Sequence, residues 1–133
     1  MTVFADSFAL IAWLNPRDDA HTQVTAYLEG FTGQLVTTEW VLMELADALS
    51  APTARSQAVA FLHAVRADPL FDVIAYDSGV YQAGFDLFAA RPDKAWSLTD
   101  CISFAVMDQR KLTEALTADH HFEQAGFRAQ FKV

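Results

Sequence analysis

A chain of 133 residues, 53% hydrophobic and 13% aromatic, is long enough for one domain with a sizeable core and is not globally disordered. Its apolar runs are far shorter than the ~20 residues that span a bilayer, and its N-terminus lacks the basic segment of a secretory signal. The single cysteine excludes an internal disulfide and a cysteine-rich zinc site, so we expect a cytoplasmic protein with no membrane contact. The net charge of −8 argues against broad binding to nucleic-acid backbones and is compatible with a basic partner.

The predicted strands and helices alternate along most of the chain, as judged from hydrophobic periodicity and from Pro, Gly and capping residues. Strands are predicted at residues 2–5, 34–38, 71–76, 114–119 and 127–133. Helices are predicted at residues 8–14, 18–29, 39–49, 53–67, 78–90 and 98–110, with a short turn at 120–126. This order predicts a parallel sheet with helices on both faces. Because there is no repeat, low-complexity segment or linker, residues 1–133 are predicted to form a single domain.

Three acidic residues occupy positions where parallel sheets bind ligands. Asp6 follows the first predicted strand, Asp119 ends the fourth, and Asp100 opens the helix in "SLTDCISFAVM". In an open parallel sheet, ligands bind beyond the carboxyl ends of the strands. Each residue also has a structural explanation, because Asp6 and Asp100 can cap helices and Asp119 can form a turn.

A fourth acid, Glu44, lies on the predicted inward face of the helix in "TTEWVLMELADAL". By the i, i+3, i+4, i+7 rule it shares that face with three apolar residues: Val41, Leu45 and Ala48. A carboxylate on an apolar face must be paired, protonated or bound to a metal. Residues 39–50 contain no Lys or Arg, so either a distant base pairs with Glu44 or its carboxylate binds a cation.

Taken together, the four acids are predicted to converge on one pocket. Four carboxylates in a pocket repel one another unless they are protonated or bridged by a cation. A cluster of oxygen ligands alone favours Mg²⁺ or Mn²⁺ over zinc. Such ions can activate water and stabilise in-line displacement at a phosphodiester, so the pattern is compatible with metal-dependent hydrolysis.

Four stretches of the sequence resemble the PIN domain, and most closely the VapC-type toxins of bacterial toxin–antitoxin pairs. In chain order they are "ADSFALIAWL", "TTEWVLMELADAL", "WSLTDCISFAVMDQR" and "ALTADHHFEQAGF". The resemblance covers nearly the whole chain. It implies a three-layer α/β/α sandwich around a mainly parallel sheet of about five strands, and a Mg²⁺-dependent endoribonuclease that hydrolyses RNA with metal-activated water.

The same resemblance implies roles for individual residues and implies partners. The catalytic, metal-binding quartet of the family falls on Asp6, Glu44, Asp100 and Asp119. Ser7 and Thr99 match positions that support the carboxylates or the water through hydrogen bonds. Mn²⁺ is expected to substitute for Mg²⁺. The resemblance further implies a homodimer and a cognate antitoxin whose tail lies across the active site, and the acidic composition agrees with such a partner.

The loop of residues 91–96 leads directly into the helix that carries the third acid. Its side chains Arg91, Lys94 and Trp96 are candidates for RNA contacts, since basic and aromatic groups hold phosphates and stack on bases. A solvated loop with Trp96 packed inward explains the same residues. Two further residues beside the acids are interpreted as structural: His121, because magnesium prefers oxygen, and Cys101, because no motif supplies a histidine base for it.

Other functions fit the sequence less well. A receiver domain needs an acidic pair after the first strand and a Lys after the last, but Asp6 is followed by Ser7. A haloacid-dehalogenase-type phosphatase needs D-x-D there, and position 8 is Phe. The alternative left open is a non-catalytic PIN fold that binds RNA or a partner. An RNA-processing nuclease without an antitoxin is also compatible with the sequence.

Overall fold

The computed structural model describes residues 1–132, which form one α/β domain with a five-stranded sheet. The strands are β1 (Thr2–Ala5), β2 (Gln34–Thr38), β3 (Phe71–Ile74), β4 (Glu114–Leu116) and β5 (Arg128–Ala129). The helices are α1 (Ser7–Leu14), α2 (His21–Glu29), α3 (Glu39–Ala48), α4 (Pro52–Ala67), α5 (Ser78–Ala90), α6 (Leu98–Arg110) and α7 (His120–Gln124). The predicted fold class, a parallel sheet flanked by helices, is confirmed.

The order of the strands places β1 at the centre of the sheet. The order is β3-β2-β1-β4-β5, and every neighbouring pair is parallel. The chain builds β1 to β3 towards one edge and then returns to β1 to add β4 and β5 on the other side. The carboxyl ends of β1 and β4 therefore flank the point where the strand order reverses, which is the usual ligand position in open α/β sheets.

An aromatic cluster in the core fixes the helices that surround this point. Phe4 of β1, Phe104 of α6 and Phe122 of α7 are each at most 1% exposed. The rings of Phe104 and Phe122 pack edge to face with centroids 4.9 Å apart, and the ring centroids of Phe122 and Phe4 are 6.4 Å apart. Because α7 has only five residues, this packing, and not helix propensity, holds it in place.

Helix α6 also packs closely against α5. A Cβ at Gly84 of α5 would lie 2.4 Å from Cγ1 of Ile102, so only glycine permits this close approach. Among the described residues, the helices are all too short or too polar to cross a membrane.

Several predicted boundaries differ from the structure. Helix α2 begins at His21 and not at residue 18, and α1, α3 and α4 each differ by one residue at one end. The third strand ends at Ile74 and not at residue 76, and the fourth ends at Leu116 and not at residue 119. The predicted turn at 120–126 is mostly helix α7, and the last strand covers only Arg128–Ala129 of the predicted 127–133, of which Val133 lies outside the described residues. The fourth strand ends early because the backbone turns at Thr117, whose N–H donates to the carbonyl of Ala115.

Candidate active site

All four predicted acids line one cleft of about 510 Å³ beyond the carboxyl ends of β1 and β4. The lining residues are Asp6, Ser7, Phe8, Ile11, Glu44, Ala95, Ser97, Asp100, Ala118, Asp119 and His121. None of these residues is Lys or Arg. The cleft therefore concentrates carboxylates, with no Lys or Arg in its lining.

Asp6 is the most deeply buried of the four acids, with 6% of the residue exposed. It stands at the N-cap position of α1, but its side chain accepts no capping hydrogen bond, so capping does not explain the residue. Its Oδ2 accepts a hydrogen bond of 3.0 Å from the hydroxyl of Thr117. The pKa of Asp6 is raised to about 7, chiefly by burial and also by the negative charges of Glu44 and Asp100, despite the lowering effect of the hydrogen bond from Thr117.

Glu44 enters the cleft from α3, a helix whose first turn is capped by the hydroxyl of Thr38. Its Oε1 accepts a short hydrogen bond from the hydroxyl of Ser7. Among residues 1–132 Glu44 forms no salt bridge, so the alternative of a distant pairing base is not supported. The predicted inward face is confirmed for Val41 and Leu45, which are fully buried, but is wrong for Ala48, which is exposed because α3 ends there.

Asp100 both completes a helix cap and faces the cleft. Ser97 is the N-cap of α6 and accepts a hydrogen bond from the N–H of Asp100, while Asp100 Oδ2 accepts one of 3.2 Å from the N–H of Ser97. The carboxylate is only 13% exposed. Its pKa is raised, chiefly by burial and also by the charge of Asp119. A single N–H of the cap leaves the carboxylate able to accept further bonds.

Asp119 is the N-cap of α7 and not the last residue of a strand. Its Oδ1 accepts a hydrogen bond of 2.9 Å from the N–H of His121. Its own N–H donates to the hydroxyl of Thr117 at 3.1 Å. The hydroxyl of Thr117 thus connects the backbone of Asp119 to the carboxylate of Asp6.

Thr117 is the site residue that the sequence analysis missed. It is fully buried and uses its single hydroxyl as donor to one acid and acceptor from the backbone of another. The signal was present in the sequence, since residues two apart in an extended segment point to the same side and Thr117 lies two before Asp119. Thr117 is also the one polar residue between the apolar residues Ala115, Leu116 and Ala118.

The residues predicted to assist the acids are placed unequally. Ser7 contacts Glu44 directly, as described above. Thr99 is half-buried near the start of α6, but within the described part of the chain its hydroxyl makes no hydrogen bond to any of the four acids. Cys101 is fully buried in the core and its thiol pKa is raised by that burial, as expected of a structural residue.

His121 lies in the cleft although it was interpreted as structural. Its side chain is 21% exposed, and its Nδ1 lies 3.4 Å from Asp100 Oδ2 and 3.4 Å from Asp119 Oδ1. No other residue that lines the cleft carries a nitrogen in its side chain.

In the loop of residues 91–96, the position of Trp96 does not agree with its predicted contact to RNA. Trp96 is only 6% exposed, packs edge to face on Phe104 and donates from Nε1 to Gln124, so it is not free to stack on a base. Arg91 forms a salt bridge of 2.9 Å with Asp93. The cationic groups of Arg91 and Lys94 lie 5.4 and 6.0 Å from the centre of the Trp96 ring, outside the cleft.

The carboxylate set satisfies the requirements of a hard divalent cation. The four acids offer oxygen ligands, and among residues 1–132 none of them is paired with Lys or Arg. The raised pKa values of Asp6 and Asp100 show that the cleft disfavours concentrated negative charge. A cation would relieve this by favouring the ionised carboxylates, so the residues present fit Mg²⁺.

The fold and the site together define a class of protein, a parallel α/β domain with a carboxylate cluster beyond its central strand. A model of the PIN domain family matches residues 3–128. The chain therefore belongs to the PIN domain family. No curated protein sequence matches it significantly.

Solved structures with the same fold include a toxin and a toxin–antitoxin complex. VapC20 from Mycobacterium tuberculosis, a sarcin-ricin loop cleaving toxin, is 23% identical with a TM-score of 0.87, over 95% of this chain and 96% of that one. A toxin–antitoxin complex from Klebsiella pneumoniae is 16% identical with a TM-score of 0.69, over 98% and 99%. VapBC2 from Rickettsia felis, bound to promoter DNA, is 11% identical with a TM-score of 0.69, over 98% of each chain. At these identities the likeness establishes the fold.

Proposed function

We propose that this protein is a Mg²⁺-dependent endoribonuclease, the VapC-type toxin of a toxin–antitoxin pair. The observation that carries the proposal is the convergence of four carboxylates in one cleft whose lining contains no Lys or Arg. They come from the end of β1, from α3, from the first turn of α6 and from the N-cap of α7. Membership of the PIN domain family and the toxin structures of the same fold support it.

In this proposal the four acids, Asp6, Glu44, Asp100 and Asp119, hold the cation. Bound Mg²⁺ supplies water activation and charge stabilisation for in-line attack on a phosphodiester, and Mn²⁺ is expected to substitute. Thr117 orients Asp6 through its hydroxyl, and Ser7 orients Glu44 in the same way. Fixing the rotamers of ligands in this manner lowers the entropy lost when the cation binds.

The charge of the cleft gives the cation a second role. RNA phosphates are repelled by a group of carboxylates that has no Lys or Arg in its lining. Neutralisation by a divalent cation allows a phosphate to approach. The apolar side chains of Phe8 and Ile11 form part of the wall and limit access of bulk water. We propose Arg91 and Lys94, although paired or stacked in the free protein, as outer contacts for RNA phosphates.

We also propose a cognate antitoxin and a homodimer as partners, in the cytoplasm where cellular RNA is the substrate. The structure of the same fold from Klebsiella pneumoniae is a toxin–antitoxin complex, which supports an antitoxin partner here. Exposed apolar side chains on this chain, such as Met43, Tyr76 and Phe88, are available for association.

Cleavage of a mixed cellular RNA pool by the purified chain tests the nuclease. The assay compares Mg²⁺ with excess chelator, and the Asp100→Asn variant with Asp108→Asn, which changes an exposed acid on the same helix. We expect discrete cuts with 5′-phosphate and 3′-hydroxyl ends that require Mg²⁺, vanish in Asp100→Asn and persist in Asp108→Asn. Mass spectrometry of the preparation first excludes bound antitoxin. If the RNA stays intact but binds the protein both with and without chelator, the result would contradict the nuclease and favour a non-catalytic RNA-binding module.

A further inference from the structure

Two adjacent histidines, His120 and His121, lie beside the acids at the start of α7 and have no part in the proposed cleavage. The Nδ1 atoms of His120 and His121 lie 3.7 and 3.4 Å from Oδ1 of Asp119. His121 Nδ1 also lies 3.4 Å from Oδ2 of Asp100. One donor atom from each of Asp119, His120 and His121 falls within 4.8 Å of the other two. Two ring nitrogens and the carboxylate of Asp119 therefore share one small volume, and Asp100 approaches it on the side of His121.

The ring nitrogen of His121 independently indicates a missing ligand. Its Nδ1 is shielded from solvent and, within residues 1–132, makes no hydrogen bond of acceptable geometry, even though two carboxylate oxygens lie at 3.4 Å. A buried polar atom without a partner destabilises the fold. A cation between the nitrogen and the two carboxylates satisfies all three groups at once.

The spacing and the donor types fit a tetrahedral transition metal. Bonds of about 2.0–2.2 Å in a tetrahedral zinc site place neighbouring donors roughly 3.3–3.6 Å apart, close to the distances of 3.4 and 3.7 Å found here. Imidazole nitrogens favour zinc and its neighbours in the transition series, whereas Mg²⁺ prefers oxygen. We propose that His120 and His121 bind Zn²⁺ together with the carboxylates of Asp119 and Asp100.

The packing of α7 holds part of this site in advance. Phe122, the next residue, is fully buried and anchors the short helix to the core. The side chain of His121 is already mostly enclosed, whereas that of His120 is 72% exposed and must lose conformational freedom when it binds. His120 is therefore the ligand that distinguishes the zinc site, because it does not line the acidic cleft.

The zinc site shares Asp100 and Asp119 with the proposed magnesium site, so the two ions compete. Zinc then acts as an inhibitor, because it holds two of the four acids and places the histidines at the mouth of the cleft. This consequence rests on the proposed function, whereas zinc binding itself does not.

Zinc binding to the metal-free full chain tests the site directly. Competition with a chromogenic chelator is expected to give one zinc ion per chain, and Co²⁺ is expected to give the visible absorption bands of tetrahedral coordination. His120→Ala and His121→Ala should each weaken zinc binding at least about tenfold. The control His63→Ala, which removes an exposed histidine on α4, should leave the affinity unchanged.

The outcomes separate the site from its alternatives. Absence of zinc binding to the unaltered chain, or equal affinity in the wild type and His120→Ala, would overturn the proposal. Circular dichroism shows whether each variant is folded. If a variant is unfolded, the Co²⁺ spectrum of the unaltered chain still shows whether the metal is bound in tetrahedral coordination.

Inhibition is then measured separately from binding. The zinc concentration that halves Mg²⁺-dependent RNA cleavage, with each protein normalised to its own zinc-free rate, should rise at least about tenfold in His120→Ala relative to the wild type. Zinc binding without RNA cleavage would support the zinc site and contradict the proposed nuclease. RNA cleavage without zinc binding would support the nuclease and contradict the zinc site.

Discussion

Two glutamates on helix α3, five residues apart, have opposite surroundings. Glu39 accepts hydrogen bonds from the guanidinium of Arg66 at 3.0 Å and from the backbone N–H of Tyr76, and these bonds lower its pKa. Glu44 accepts a hydrogen bond only from the hydroxyl of Ser7 among the described residues. The chain neutralises one of these acids itself and leaves the other without a positive partner.

The same contrast separates the carboxylate cleft from the rest of the surface. The acids that pair with arginine lie elsewhere: Glu39, Asp72, Asp93 and Glu114. In the cleft, the pKa of Asp6 is raised to about 7 because burial and neighbouring charges act in the same direction. Unpaired, buried carboxylates cost stability, so their concentration at one place indicates function and not folding.

The largest expected effect is on the pH dependence of stability of the metal-free protein. The pKa of Asp6 is about 7 in the folded state against 3.8 for the unperturbed group, so between these values the folded state holds the extra proton. The stabilising contribution is therefore complete below about pH 4 and is lost as the pH rises through about 7, by at most on the order of 4 kcal/mol. Urea unfolding with chelator at pH 5 to 8 measures it.

The matched variant for this prediction is Asp6→Asn, which removes the titrating group with little change of shape. As the pH rises, the unfolding free energy of the wild type should fall relative to that of the variant. A difference that stays constant from pH 5 to 8 would mean that Asp6 is not buried as the structure shows.

The next effect is on activity and uses the two glutamates directly. Glu44→Gln should lower Mg²⁺-dependent RNA cleavage at least about 100-fold, because it removes a proposed ligand, while stabilising the metal-free fold slightly. Glu39→Gln should leave cleavage unchanged. Initial rates at saturating Mg²⁺, with thermal unfolding of each protein, give both quantities. Similar losses of activity in the two variants would contradict the proposal that Glu44, and not Glu39, binds the catalytic metal.

Thr117→Val tests the link between Asp6 and Asp119 at nearly constant volume. It leaves a buried carboxylate and a backbone N–H without the hydroxyl, so we expect a loss of roughly 1–3 kcal/mol in unfolding free energy together with weaker Mg²⁺ binding. Thr37→Val is the control, since the hydroxyl of Thr37 is equally buried but donates to the carbonyl of Ala5. It should lose stability alone, and weaker Mg²⁺ binding in both variants would show a general packing effect.

The smallest effect is expected for the stability of Glu39→Gln. Its partner Arg66 is 51% exposed, and exposed salt bridges contribute less than about 1 kcal/mol. Chemical denaturation with and without 1 M salt measures the loss, which should shrink at high salt. A loss of several kcal/mol would place this pair among the determinants of the fold.

Local patterns in the sequence were sufficient where the structure depends on neighbours along the chain. The capping box of Ser97 and Asp100 is present as its spacing predicts. The alternation of strands and helices was sufficient for the parallel sheet, since such strands need crossover connections. Glu44 could be assigned to an inward face because Val41 and Leu45 repeat with helical periodicity.

Contacts between distant residues were beyond the reach of these patterns. The burial of Trp96 depends on Phe104 and on Gln124, which follows it by 28 residues. The role of Thr117 depends on Asp6, which is 111 residues away. A local pattern does not specify which partner a polar or aromatic side chain will meet across the sheet.

The sequence by itself determined the class of fold, the four acids and the elements that carry three of them, because hydrophobic period, caps and strand ends are local properties. Only the tertiary structure decided that α7 and not a strand end presents Asp119, that Thr117 joins it to Asp6, and that His121 faces the acids. The physical reason is that strand order and helix packing bring distant segments together, and the charge and burial of a site depend on all of them at once.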